Sequence, residues 1–204
     1  MPTPANPNLL DVDWSTIPAP VDDGAARHLR GSQLPDVPLV ATDGRRVSLA
    51  RLPGRVVVFA YPRTGRPDEA SLVDDWDQIP GARGCTPQSC AFRDRHAELR
   101  AAGVAHVFGL STQHTDYQRE VVERLHLPFA ILSDSELLLT RAIDLPTFDV
   151  AGQTLLKRLA LISDDGRIAN VFYPVFPPDR NASDVLAWLG RKDVDDSDLY
   201  SGDR

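Results

Sequence analysis

Two cysteines carry the most reactive side chains of this 204-residue chain, and they lie close together in the segment Gly84-Cys85-Thr86-Pro87-Gln88-Ser89-Cys90. A secreted scaffold held by disulfides carries more cysteines, spread along the chain. The N-terminus shows no basic start followed by an apolar stretch, so we expect no secretory signal. The pair therefore indicates redox or metal chemistry, with two unrelated small buried residues as the plain alternative.

Zinc is the less favoured of these chemistries. A structural zinc site needs four Cys or His ligands at clustered spacing. The five histidines are scattered along the chain, and none forms a compact ligand pattern with Cys85. We therefore predict no metal site.

The position of Cys85 favours a reactive thiol. It follows a glycine and precedes a predicted helix over residues 86–102, whose N-terminus offers unpaired N–H groups and the positive end of the helix dipole. Both stabilise a thiolate, which is the nucleophilic form of cysteine. Arg83 and Arg93 are close in sequence and are expected to add positive charge.

The spacing of the two cysteines limits how they can pair. Cys90 follows Cys85 by five positions, which in an intact helix places their Cα atoms about 8–9 Å apart. A disulfide needs a Cα separation below about 7 Å. Oxidation of the pair would therefore have to unwind the first turns of the helix.

The order of predicted elements indicates an α/β domain with a mixed sheet. A turn at 42–46 joins two short strands, and the apolar run Arg55–Tyr61 is typical of a strand buried on both faces. Alternating strands and helices follow to Leu125, then come a strand, a short helix, a hairpin over 157–173 and a last helix. We divide the chain into an extended leader (1–27), one domain (28–191) and an acidic tail expected to be disordered (192–204).

Composition and charge exclude several classes of function. The net charge of −7 argues against general affinity for nucleic acid or anionic membranes. No apolar run approaches the roughly 20 residues of a membrane span. We therefore expect a cytoplasmic protein that binds neither nucleic acid nor membrane.

The cysteine segment and its surroundings resemble one known family. Gly84 to Asp94 closely resembles the active-site segment of the Q-type peroxiredoxins, also called bacterioferritin-comigratory proteins. In that family a strand ending in Phe-Tyr-Pro leads to Gly-Cys-Thr, a second Cys and Phe-Arg-Asp. Here Phe59-Ala60-Tyr61-Pro62 is similar to the strand end, and the strand beginning at Lys157 is similar to the one that carries an active-site Arg.

The resemblance implies a thioredoxin-like fold, with an N-terminal β-hairpin extension, and a peroxidase cycle without a cofactor. Cys85 would attack the peroxide and become a sulfenic acid, and Cys90 would resolve it as a disulfide. Arg158 would favour the thiolate and stabilise charge on the peroxide oxygens, while Pro62 would shield the pocket. A thioredoxin-like dithiol would reduce the disulfide, and the protein would be a monomer or a homodimer.

One feature departs from the family. The family pattern Pro-x-x-x-Thr-x-x-Cys separates Pro from Cys by seven positions, whereas Pro62 and Cys85 are 23 apart. Ala82 stands where the family has a hydroxyl that contacts peroxide. Thr64 could fold back to supply this hydroxyl, and Thr86 is a weaker candidate. We further hypothesise that the inserted residues 65–81 form a lid over the thiol, anchored by Trp76; the alternative is a solvated acidic loop.

Three activities fit these residues. The first is a peroxidase acting on hydrogen peroxide or organic hydroperoxides. The second is a disulfide reductase or peroxide sensor of the same fold, although reductases of that fold usually carry Cys-x-x-Cys. The third is a binding protein that has lost peroxide chemistry, an alternative that the missing hydroxyl at position 82 keeps open.

Overall fold

The computed structural model describes residues 12–200, with side chains described through residue 191. Within this range the backbone forms nine strands and five α-helices. The strands are β1 (Pro38–Ala41), β2 (Arg46–Ser48), β3 (Arg55–Ala60), β4 (Val104–Ser111), β5 (Ile131–Ser133), β6 (Thr147–Val150), β7 (Gln153–Leu156), β8 (Leu159–Asp164) and β9 (Arg167–Phe172). The helices are α1 (Cys85–Asp94), α2 (His96–Ala101), α3 (Thr115–Leu125), α4 (Leu138–Ala142) and α5 (Asn181–Tyr200).

A seven-stranded mixed sheet forms the centre of the molecule, in the order β2-β1-β5-β4-β3-β8-β9. Strands β3, β4 and β5 are parallel to one another. The pairs β1–β2, β1–β5, β3–β8 and β8–β9 are antiparallel. The β1–β2 hairpin joins this sheet through β5. The predicted α/β class with a mixed sheet and an N-terminal hairpin is confirmed.

The apolar strand β3 separates two hydrophobic cores. Val56 and Val58 pack into one core, whereas Val57 and Phe59 pack into the other, together with both cysteines. Side chains alternate across a strand, so burial on both faces requires an apolar residue at every position. This explains why the run shows no alternation of apolar and polar residues. The end of β3 lies in the same core as the two cysteines.

Three elements differ from the predictions. The helix expected over residues 86–102 is divided at Arg95, whose backbone (φ −103°, ψ 10°) leaves helical geometry. The strand expected from Lys157 begins at Leu159, so Arg158 lies in the link that precedes β8. The hairpin of β6 and β7 was not predicted, because its turn uses Ala151 at φ 49° before a glycine, and alanine gives no turn signal.

The two ends of the chain also differ from the expected picture. Part of the expected extended leader has regular structure, a 3-10 helix at Trp14–Thr16. Helix α5 continues to Tyr200, into the segment expected to be a disordered tail, and residues 1–11 and 201–204 lie outside the described range. The division into leader, domain and tail stays a prediction. Once its packed first half has formed, a helix extends at little cost through a segment without proline.

In the part of the chain that the structure describes, no helix has the length and apolar character needed to cross a membrane.

Candidate active site

A glycine in left-handed conformation starts the helix that carries the two cysteines. Gly84 has φ 104° and ψ 19°, and Cys85 is the first residue of α1. A Cβ at Gly84 would lie 2.6 Å from Cγ of Pro178 and 2.7 Å from Cη2 of Trp14, so no other residue fits without displacement. Cys85 is consequently held at the start of α1, with only 3% of its surface exposed.

The Cys85 sulfur has two polar contacts in the structure. Its thiol donates to the Ala82 carbonyl oxygen at 3.6 Å, and the Arg158 Nη2 donates to Sγ at 3.2 Å. Charge-assisted hydrogen bonds of this kind stabilise negative charge on the acceptor. The structure thus brings the predicted cysteine and arginine together.

Arg158 is buried and held from several sides. Its Nη2 also donates to the carbonyl oxygens of Gly81, Ala82 and Arg83 at 3.0–3.1 Å. Its Nη1 donates to the side-chain oxygen of Gln88. These contacts fix the guanidinium plane beside the Cys85 sulfur. They also hold the end of the inserted loop against Arg158.

Gln88 and Asn181 complete this network, and the sequence analysis missed both. Gln88 donates from Nε2 to Oδ1 of Asn181 at 2.9 Å and accepts from Arg158 through Oε1. Gln88 lies three positions after Cys85, on the same side of the helix, and that spacing could have identified it. Asn181 is distant in sequence and gave no signal.

The other two arginines expected near Cys85 have different partners. Arg83 pairs with Asp77 at 2.6 Å. Arg93 pairs with Asp94 at 2.8 Å and donates to the Leu125 carbonyl oxygen at 2.9 Å. The hydrogen bond to the Cys85 sulfur comes from Arg158, and the positive charge expected from Arg83 and Arg93 stays a prediction.

Cys90 lies in an apolar environment and is a free thiol, as is Cys85. It is 6% exposed and belongs to the same hydrophobic core as Phe59 and Phe92, whose rings stack at 4.3 Å. Burial raises the pKa of the Cys90 thiol, and the nearby Arg93 guanidinium offsets part of that rise. Because both cysteines lie in one continuous α1, this conformation is the reduced one.

The three residues predicted to line the pocket are all buried. Pro62 is buried directly after β3, and Thr86 is buried in the first turn of α1. Thr64 is fully buried, but its hydroxyl donates to Oε1 of Gln113 at 3.1 Å. The Ala82 methyl packs with Trp76. The role of Thr64 as the missing hydroxyl stays a prediction.

The inserted loop packs on the protein rather than extending into solvent. Trp76 is 9% exposed and packs with Ala82 and Leu155, with Leu72 and Ile79 against the same cluster. Leu155 belongs to β7, so the hairpin that the sequence analysis missed is the surface that the insertion covers.

A second attachment joins the insertion to α3. The guanidinium groups of Arg63 and Arg66 lie 5.0 and 4.3 Å from the centre of the Tyr117 ring. The Tyr117 hydroxyl donates to Glu69 at 2.7 Å, and Arg124 donates to the Gly65 carbonyl oxygen at 3.1 Å. The acidic loop is therefore anchored at both of its ends.

The leader also reaches the site. The Trp14 ring meets Phe176 edge-on at 6.0 Å, and its Nε1 donates to Asp179 at 2.9 Å. Further along, Asp23 pairs with Lys157 at 2.6 Å and accepts from the Tyr173 hydroxyl. The leader thus contacts both the residue before Arg158 and the loop before α5.

Comparison with known proteins finds similar chains over most of the length of this one. The family model described as Redoxin matches residues 29–189. A putative chloroplastic peroxiredoxin Q of Oryza sativa subsp. indica is 30% identical over 161 residues, which are 78% of this chain and 66% of that protein. The chloroplastic peroxiredoxin Q of Gentiana triflora is 28% identical over 181 residues, covering 86% of this chain and 75% of that protein. The chain thus spans slightly less than two thirds of the rice relative.

Solved structures share the fold. Peroxidoxin BcpB from Mycobacterium tuberculosis superposes with a TM-score of 0.62 at 24% identity, covering 79% of this chain and 96% of that one. Peroxiredoxin Q of Xanthomonas campestris gives a TM-score of 0.61 at 22% identity, covering 78% and 95%. The Redoxin match over residues 29–189 shows that the chain belongs to the redoxin family, and its similarity to the peroxiredoxin Q relatives places it with the Q-type peroxiredoxins.

Proposed function

We propose that the protein is a thiol-dependent peroxidase in which Cys85 is the attacking residue. The observation that carries the proposal is the 3.2 Å hydrogen bond from Nη2 of buried Arg158 to the Cys85 sulfur at the first residue of α1. The thiolate attacks one oxygen of a hydroperoxide, an S–O bond forms and the O–O bond breaks. Sulfur becomes a sulfenic acid, and the leaving alkoxide or hydroxide takes a proton from water.

Arg158 is oriented for the charge that moves in this step. Negative charge passes from sulfur to the leaving oxygen, and a fixed donor stabilises it there without reorganisation. Gln88 acts as a positioning residue, because its side chain joins Arg158 to Asn181 at the start of α5. Three backbone carbonyls hold the same guanidinium from the side of the inserted loop.

Cys90 is the proposed resolving residue. Its thiol attacks the Cys85 sulfenic acid, an S–S bond forms and water leaves. The two positions are too far apart within an intact α1, so the first turns of the helix must open. That opening breaks the bond of the Gln88 amide to the Gly84 carbonyl oxygen and the bond of the Ser89 hydroxyl to the Cys85 carbonyl oxygen.

The cycle then needs an external reductant. We propose a thioredoxin-like dithiol, which reduces the Cys85–Cys90 disulfide by exchange through a mixed disulfide. A monomeric or homodimeric state and a cytoplasmic location stay predictions; the plant relatives named above are chloroplastic.

The inserted loop is the proposed lid of the thiol pocket. Its support is the packing of Trp76 against Ala82, the residue whose carbonyl accepts from the Cys85 thiol. Trp76→Ala should change the ratio of rates for hydrogen peroxide and a bulky organic hydroperoxide. Equal ratios in both proteins would leave the loop as a covering of the β6–β7 hairpin only.

A thiol count tests the proposed function. Reduced protein receives one equivalent of hydrogen peroxide, and free thiols are titrated over time. The peroxidase and the sensor both predict rapid loss of both thiols, and steady turnover of NADPH with thioredoxin and thioredoxin reductase selects the peroxidase. Persistence of both thiols under excess peroxide would contradict the proposal and favour a binding role.

A further inference from the structure

The leader carries a half-buried tryptophan that the proposed reaction does not use. Trp14 begins the short 3-10 helix Trp14–Thr16, and Asp13 caps that helix by accepting a hydrogen bond from the Ser15 amide at 3.0 Å. Residues 17–23, which follow, form neither helix nor strand. The side chain of Asp13 thus stabilises a local turn in an otherwise irregular segment, and that turn directs the Trp14 ring.

The Trp14 ring lies against the residue that caps the cysteine helix. A Cβ built at Gly84 would lie 2.7 Å from Cη2 of Trp14 and 2.6 Å from Cγ of Pro178, so both rings contact the Gly84 turn. Trp14 also meets the Phe176 ring edge-on at 6.0 Å and donates from Nε1 to Asp179 at 2.9 Å. The ring therefore joins the N-cap of α1 to the segment that precedes α5.

Gly84 is a residue that the opening of α1 must displace. Its carbonyl oxygen accepts from the Gln88 amide at 3.0 Å, which is the first bond of the helix. Cys85 and Cys90 cannot form a disulfide until the first turns open. The contact with Trp14 belongs to the closed helix, in which Gly84 has φ 104°. A contact made in only one of two conformations stabilises that conformation.

The leader also holds the neighbourhood of this turn at two further points. Cβ and Cγ of Pro20 would each lie 3.5 Å from a Cβ at Gly81, one of the three residues whose carbonyl oxygens accept from Arg158. Asp23 pairs with Lys157, which precedes that arginine, at 2.6 Å. The leader therefore crosses both stretches of chain that form the Cys85 site, and Trp14 is its contact with α1 itself.

We propose that Trp14 is a positioning residue that holds α1 closed and so limits the rate at which the Cys85 sulfenic acid and the Cys90 thiol form their disulfide. The proposal rests on the proposed peroxidase function. Two reactions then compete for the sulfenic acid. In one, an S–S bond to Cys90 forms and water leaves. In the other, a second hydrogen peroxide transfers one oxygen to the Cys85 sulfur, which becomes a sulfinic acid, and water leaves.

The two steps of the cycle respond differently to the loss of this contact. Peroxide attack uses the closed helix, in which Arg158 donates to the Cys85 sulfur. The closed form is the major one, so its population changes little when it is modestly destabilised. The open form is the minor one, so its population rises in proportion to the change in the equilibrium constant. Loss of Trp14 should therefore speed disulfide formation and leave the first oxidation unchanged.

Graded oxidation of Trp14→Ala tests this role. Reduced protein receives increasing hydrogen peroxide, and intact mass gives the fractions of disulfide and sulfinic acid. The midpoint, which is the peroxide concentration that converts half of Cys85 to sulfinic acid, is expected to rise about tenfold, because one hydrogen bond and one ring contact are lost. The rate of the first loss of the Cys85 thiol, measured by quenched flow, should stay within about twofold of the wild type.

Val21→Ala is the matched control, because Val21 belongs to the same leader and is 83% exposed. It should match the wild type in both measurements. Should Trp14→Ala fail to fold, Trp14→Phe carries the test, since it keeps a ring but loses the Nε1 donor, and its midpoint should still rise severalfold above that of the wild type.

A midpoint that stays the same or falls in the folded variant would overturn the role of Trp14. An equal slowing of the first oxidation and of disulfide formation would also overturn it, because that result describes general damage to the site. A wild-type protein that forms no disulfide with peroxide would instead overturn the proposed function.

Discussion

Cys85 and Cys90 belong to one helix and are both almost fully buried, but their surroundings differ in kind. Cys85 lies at the helix start with a guanidinium donating to its sulfur. Cys90 lies further along α1 in an apolar core, where burial raises the pKa of its thiol. One environment stabilises negative charge on sulfur, and the other stabilises the neutral thiol.

Two thiols only five positions apart in one helix can therefore have environments suited to different roles. A nucleophile must be anionic and poised before substrate arrives, whereas a resolving thiol serves best when it stays unreactive until the first oxidation. The core around Cys90 protects it, and opening of α1 is the event that would release it. The predictions below test this contrast, beginning with the largest expected effect.

Arg158→Lys should greatly slow the reaction of Cys85 with peroxide. A lysine keeps the charge but cannot make the planar set of bonds that Arg158 makes to Gln88 and three carbonyls. We expect the rate of oxidation by peroxide to fall about 10²-fold. Stopped-flow kinetics measures it, with Arg119→Lys on exposed α3 as the control. An unchanged rate would remove the basis for calling the Cys85 environment special.

Alkylation should reveal the protection of Cys90. In Cys85→Ser protein, we expect iodoacetamide to modify Cys90 at least about tenfold more slowly at pH 7.5 than in the same protein unfolded by urea. A raised pKa means that the thiol form persists to higher pH, so the rate should still be rising where an unperturbed thiol has levelled off. Equal rates in folded and unfolded protein would show that the core gives no protection.

Gly84→Ala should disturb the Cys85 end of α1 without touching Cys90. The new methyl group would meet Pro178 and Trp14 at a φ of 104°. Gly44→Ala is the matched control, since Gly44 has φ 86° and nothing within 4 Å of a built Cβ. We expect the alanine at 84 to lower the free energy of unfolding by about 2 kcal/mol more than the one at 44. Urea denaturation measures both, and equal losses would show that Trp14 and Pro178 do not constrain the turn.

Asp23→Asn should have the smallest effect, because its partners are partly exposed. Hydrogen bonds from Lys157 and Tyr173 lower the pKa of Asp23, so its stabilisation is fully present above the ordinary pKa of about 4 and is lost as pH falls from there through the lowered pKa of the folded state. At pH 7 the variant should lose about 1 kcal/mol or less. Urea denaturation at pH 7 and pH 3 should show a smaller difference between variant and wild type at the lower pH. A difference as large at pH 3 as at pH 7 would mean that the ion pair is not its source.

Much of the fold was accessible from the sequence because it depends on local patterns. The uninterrupted apolar run of β3 predicts a strand buried on both faces, and the glycine before Cys85 predicts a helix start. The β6–β7 hairpin was not accessible, since its two strands are stabilised by Trp76 and its neighbours rather than by their own alternation.

The residues of the site also differ in how far the sequence alone predicts them. Cys85, Cys90 and Arg158 were found from motif and resemblance, and Gln88 could have been found from its helical spacing. Closeness in sequence suggested Arg83 and Arg93 as sources of charge near Cys85, whereas the guanidinium that donates to its sulfur belongs to Arg158, 73 positions away.

Intact-mass analysis of two serine variants tests the division of roles most directly. Reduced Cys85→Ser and Cys90→Ser proteins each receive one equivalent of hydrogen peroxide, and the products are trapped with dimedone, which reacts with sulfenic acids. We predict that the Cys90→Ser protein gains one dimedone adduct at Cys85, and that the Cys85→Ser protein remains unmodified over the same time. Modification of Cys90 in the Cys85→Ser protein at a comparable rate would contradict the account, because the two environments would then not distinguish the two thiols.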